Sequence, residues 1–115
     1  MQKKKPKIIL KQYVGLKTEV DVLREMNSPP EKIWEKQQEV ERIDRALENI
    51  EDPMHRAVLL LYYINGRTVW TWPQVAVRLY GNADEAELKA VQRLHGRALQ
   101  SFDREYRKLK KESHP

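Results

Sequence analysis

From Leu88 to Leu109 the apolar residues Leu88, Val91, Leu94, Ala98, Phe102 and Leu109 follow one another at steps of three, three, four, four and seven. That is the return period of one face of an α-helix, and a strand would need a period of two. The same spacing governs the rest of the chain. Ile9, Tyr13, Leu16, Val20 and Leu23 step by four, three, four and three, a heptad seam on a first helix. Ile33, Val40, Ile43, Leu47 and Ile50 share one face of a second helix, with Trp34 beside them. Nowhere do alternating β-branched residues flank a hairpin turn, so the fold is expected to be all-α.

Proline, glycine and capping residues divide this pattern into five helices. Asn27-Ser28-Pro29-Pro30 ends the first, because a residue before proline is pushed out of helical conformation, and Ser28 or a neighbouring proline starts the second. Asp52-Pro53 opens a third, with Asp52 as cap and Pro53 at the first helical position. Met54 to Ile64 is the most apolar segment of the chain and is expected to be the central buried helix, with Leu60 in the core. Asn65-Gly66 closes it with a turn signal, and Arg67-Thr68-Val69-Trp70 bridges onward. Thr71 caps a fourth helix carrying Trp72, Val75, Ala76 and Leu79 at helical spacing, and Gly81-Asn82 stops it. Asp84, Glu85 and Glu87 then place negative charge at the amino end of the last helix.

Three regions follow. Residues 1–8, with Lys3-Lys4-Lys5-Pro6-Lys7, are a mobile basic arm. Residues 9–50 form a helical hairpin or a dimerisation segment, with a seam of Tyr13, Leu16, Val20, Leu23, Val40, Ile43, Leu47 and Ile50. The two helices close on each other as an antiparallel hairpin, the plainer reading, or pair with another copy as a homodimer. Residues 51–115 carry two helices joined by a short polar turn, the second one basic, which is a helix-turn-helix candidate.

A chain of 115 residues suits one domain and can bury a core without metal or disulfide staples. It has no cysteine, which removes disulfides and thiolate metal sites and fits a reducing cytoplasm. No apolar run reaches the roughly 18 residues needed to span a bilayer, and no secretion signal is present, so a soluble, unprocessed cytoplasmic protein without membrane contact is expected. His55 and His95 lack a second ligand at metal spacing and are expected to be structural. No Ser-His-Asp set, phosphate loop or paired buried carboxylates can be made out, so neither enzymatic activity nor a cofactor is expected.

The formal charge of +5 is concentrated in one place. Lys89 to Lys111 contains eight basic residues against two acidic ones, which leaves 14 against 15 elsewhere. A local field of this kind attracts polyanions such as duplex DNA. Lys89, Gln92, Arg93 and Gly96 lie on the side of the helix away from Leu88, Val91, Leu94 and Ala98. This presents long polar side chains as base readout requires, arginine suiting guanine and glutamine adenine. Arg97 joins them, or pairs with a carboxylate of the hairpin. Thr71, Gln74 and Arg78 are candidates to clamp phosphates, and Trp70 and Trp72 to fill the wedge between helices.

The run Asp52-Pro53, then Arg56 to Gly66, Thr71 to Ala76, and Val91-Gln92-Arg93-Leu94-His95-Gly96-Arg97-Ala98-Leu99 resembles small phage and prophage regulators of the ArpU and RinA kind. These are similar to the last helix-turn-helix domain of primary sigma factors, sigma-70 region 4. The resemblance implies a helical hairpin before a three-helix, sigma-70 region 4-like helix-turn-helix with a long last helix. It also implies DNA binding and transcription regulation in a bacterial host cell, with the host RNA polymerase as second partner. The chain departs from that pattern in a longer loop at Arg67 to Trp70 and a longer turn at Tyr80 to Ala86, with acidic residues near the groove-entering end. The alternatives are a small-terminase-like DNA-packaging protein and a protein-interaction module that does not bind DNA.

Overall fold

The computed structural model describes residues 5–64 and 70–113. It contains α1 (Pro6–Glu25), α2 (Pro30–Asn49), α3 (Pro53–Leu59), which runs on into a single π turn (Leu60–Ile64), α4 (Trp72–Tyr80) and α5 (Glu85–Ser113). The described residues form no strand, and none of their helices is long and apolar enough to cross a membrane. Lys3, Lys4, the Asn65-Gly66 turn and Arg67, Thr68 and Val69 lie outside the described residues.

Local chemistry sets the helix ends. Asn27 adopts a left-handed φ of 53°; its N–H bonds to the Arg24 carbonyl while Ser28 N–H reaches back to Leu23, a Schellman ending for α1. Proline rather than Ser28 opens α2, with Pro29 at the cap and Pro30 as its first residue. The Asp52 carboxylate accepts from the amides of Met54 and His55 to cap α3. Thr71 and Gln74 form a full capping box on α4, and Gly81 stops that helix at a φ of 89°. The basic arm is shorter than expected, because α1 already begins at Pro6. Proline has no amide to leave unpaired and a φ preset for the first helical position, so Lys7 and Ile8 are helical.

α1 and α2 pack antiparallel within the chain. Tyr13 Oη donates to Asp44 at 2.7 Å, and Lys36 pairs with Glu19 at 2.6 Å. Along the seam Tyr13, Val20, Val40, Ile43, Leu47 and Ile50 are buried, while Leu16 and Leu23 are partly covered. Leu10 lies outside the heptad seam and is fully buried. The hairpin has a second apolar side, and that side meets the π turn and α5. One core runs from Ile9 and Leu10 through Ile50 to Phe102 and Tyr106, so Ile50 marks a change of helix rather than an edge of the core.

The central helix is α5, not the apolar Met54 to Ile64 segment. It packs against all four other helices and buries Val91, Ala98, Phe102 and Tyr106. The Tyr106 hydroxyl donates to Glu39, which is also paired with Arg42, and this fixes α5 to α2. Leu60, expected in the core, is 39% exposed. Val58 and Leu59 take the inward positions, and the next residue of a helix turns about 100° away. Trp34 projects from α2 at 62% exposure.

A buried unpaired carboxylate costs several kcal/mol, a large part of the roughly 5–15 kcal/mol that stabilises a domain. Leu59→Asp is therefore expected to abolish cooperative thermal melting, whereas Leu60→Asp should move the midpoint by only a few degrees. Comparable losses in both variants would place Leu60 in the core after all.

Candidate nucleic-acid interface

Four residues, Gly81 to Asp84, join α4 to α5. Asn82 Oδ1 accepts from Asp84 N–H at 3.2 Å, and the Asp84 carbonyl accepts from Leu88 N–H at 3.0 Å, so Asp84 sits at the cap of α5. Val75 and Ala76 of α4 and Val91 of α5 are fully buried in the shared core. Anchored by this packing, α5 exposes Lys89, Gln92, Arg93 and Arg97 on its outer side, and α4 exposes Thr71, Gln74 and Arg78.

These side chains differ in how free their charge is. Lys89 is paired with Glu85 at 3.1 Å, Arg107 with Asp103 at 3.0 Å and Lys108 with Glu105 at 3.4 Å. Arg104 also approaches Glu105, at 3.5 Å. Among the described residues Arg93, Arg97 and Arg78 have no ion-pair partner, so the pairing of Arg97 with a hairpin carboxylate is not made. Of the three acidic residues at the start of α5, Glu87 turns inward, with Oε2 buried and unbonded. The Thr71 hydroxyl accepts from Gln74 N–H and donates to Gln74 Oε1, and Oε1 also accepts from Thr71 N–H. The cap therefore engages Thr71, and Arg78 is left as the free charge on α4. Arg78 lines a shallow open groove with Trp70, Pro73, Gln74 and Val77.

Behind the exposed side of α5 lies an aromatic cluster. Trp72 stacks on Tyr62 with centroids 3.9 Å apart and planes 6° apart, and its ring lies 4.7 Å from His95. His95 Nε2 shares a 2.6 Å hydrogen bond with the Tyr63 hydroxyl. The π turn, the start of α4 and the middle of α5 thus meet at one point, where His95 stands two residues from both Arg93 and Arg97. Trp72 fills the wedge between helices, as its position suggested. Tyr62 and Tyr63 were not singled out in the sequence, where they read as the apolar end of a helix. Burial pushes the His95 pKa down from 6.5 to about 4, with the Lys7 charge acting in the same direction. Burial, then Tyr62, pushes the Tyr63 hydroxyl up.

The structure also brings together a set that the sequence does not reveal. His55 Nδ1 lies 2.8 Å from Ser101 Oγ, and His55 Nε2 lies 3.6 Å from Asp52 Oδ2. Ser101 is 7% exposed in the interior of α5, and the other Asp52 oxygen caps α3. A serine there has neither substrate access nor free backbone amides for an oxyanion, so the contacts serve to bind α3 to α5. No group of three His, Asp or Glu side chains among the described residues could hold a metal ion. No family model, curated protein or solved structure matches the chain.

The lowered His95 pKa has a definite sign in stability. The folded state keeps the ring neutral while the unfolded chain binds a proton below about pH 6.5. Stability is therefore fully present above pH 6.5 and declines as pH falls through about 4. Denaturant melts of the parent and of His95→Gln across pH 7 to 4 should show the steeper loss in the parent. Parallel curves would mean that His95 titrates as if in water.

Proposed function

We propose that this protein is a phage-type DNA-binding transcriptional regulator that reads duplex DNA through the outer side of α5. The observation that carries the reading is the pair of exposed, unneutralised guanidiniums, Arg93 and Arg97, midway along a helix whose opposite side is locked into the core. Readout needs long donors whose base helix does not move, and arginine supplies two parallel donors to guanine. The α4–turn–α5 arrangement and the resemblance to sigma-70 region 4-like regulators support the same reading.

α5 has 29 residues and is about 43 Å long, and Lys89 to Lys111 spans about 33 Å of it. A straight helix of that length leaves a curved groove about 12 Å wide after a few turns. α5 therefore divides into an amino-terminal half that faces base edges and a carboxyl-terminal half that faces phosphates. Host RNA polymerase is the second proposed partner, by resemblance. The groove on α4, where Val77 is 52% exposed, supports a protein contact that borders the DNA face and shares Gln74 and Arg78 with it.

Arg93→Ala is expected to cost about 1–3 kcal/mol on a selected duplex and to relax preference at one base position. Lys108→Ala, already paired with Glu105, should weaken all sequences alike and lower the salt slope by about one or less. Affinities on selected and scrambled duplexes at two salt concentrations check this. Indistinguishable losses in the two variants would remove the recognition role from α5. Absence of duplex binding at low salt would instead favour a module that binds protein alone.

A further inference from the structure

Gly96 lies on the exposed side of α5, more than two turns inside a 29-residue helix. Glycine there destabilises the helix relative to alanine because it loses more backbone freedom on folding. Nothing in the fold requires it. A Cβ built at position 96 meets no atom within 4 Å, and φ lies outside the left-handed range. Its helical neighbours one turn away, Gln92, Arg93 and Gln100, and the adjacent Arg97, are long and exposed, so Gly96 is the floor of a notch rimmed by polar side chains. Gly15 on α1 is equally exposed and equally unencumbered, but it stands one turn from Lys11 and from Glu19, which is paired with Lys36. Among the described residues Lys11 is one unpaired cation beside Gly15, whereas the Gly96 notch is flanked by two unpaired guanidiniums, Arg93 and Arg97.

We infer that Gly96 is the point of closest approach between α5 and duplex DNA, and that its missing side chain sets how deeply the helix enters the major groove. This rests on the DNA-reading assignment and adds to it a positioning residue. With no Cβ at position 96 the helix backbone can lie flush against the duplex. Gln92 and Arg93 are then carried to the base edges, while longer-range phosphate contacts from the carboxyl-terminal half are made at any depth. The occupant is B-form DNA, because the major groove of A-form RNA is too narrow and deep for an exposed helix.

The test compares the parent with Gly96→Ala, Gly96→Leu and Gly15→Ala in thermal melting and in binding to selected and scrambled DNA duplexes and to an RNA duplex. Both alanine variants should melt about 3–6 °C higher, since each gains helix propensity without a clash. Gly96→Ala should bind the selected DNA about tenfold more weakly, and Gly96→Leu more weakly still, with binding to scrambled DNA little changed. Gly15→Ala should bind as the parent does. A more stable protein that discriminates less well is an outcome that a purely structural glycine cannot give. The inference is overturned if Gly96→Ala binds like the parent, if it loses equally on both DNA duplexes, if Gly15→Ala loses as much, if RNA competes equally, or if the parent shows no sequence preference. A parent that binds no duplex at low salt overturns the DNA-reading assignment itself, which separates the two failures.

Discussion

The fold depends on the apolar side of α5. Val91, Ala98, Phe102 and Tyr106 form a continuous inward face against which the hairpin, α3 and α4 all pack. A face that buries one side of a long helix leaves the other side to solvent, and here that other side carries most of the basic surplus of the chain. Core and candidate interface are therefore two sides of the same element. The precision of the outer side comes from the packing of the inner one.

The polar groups near the core reinforce that arrangement. Tyr13 with Asp44, Tyr106 with Glu39, Tyr63 with His95 and His55 with Ser101 each join residues more than thirty positions apart. Each replaces water on a buried or half-buried polar atom, which an unpaired group could not tolerate at low cost. Three of the four use a tyrosine, a side chain that adds apolar area and one directional hydroxyl to the same contact.

Much of this was legible in the sequence because it is local. The Asp52 cap, the Thr71 cap, the Gly81 stop and the end of α1 at Asn27 depend on residues within one turn. The heptad seam of α1 and α2 was legible as well, since its period is written along each helix. What could not be read there is what depends on distant partners. Leu10 is fully buried on a helix that packs against the π turn and α5, elements that begin fifty residues or more later, and Leu60 faces out although its segment is the most apolar in the chain. At the candidate interface, exposure of Lys89, Gln92, Arg93 and Arg97 followed from the apolar stripe. Which cations are neutralised did not, because the Lys89–Glu85 contact and the freedom of Arg97 depend on side-chain geometry. The meeting of Tyr62, Tyr63, Trp72 and His95 required three segments to converge, and no spacing rule encodes that.

The link between Tyr106 and Glu39 gives α5 a mechanical character. Tyr106 lies 13 residues beyond Arg93, about 20 Å along an uninterrupted helix, and its hydroxyl is held by the middle of α2. A helix resists bending over that distance, so the tie to α2 constrains the direction of the whole of α5, its Arg93 end included. The hairpin therefore helps to set the angle at which Arg93 and Arg97 stand on the surface.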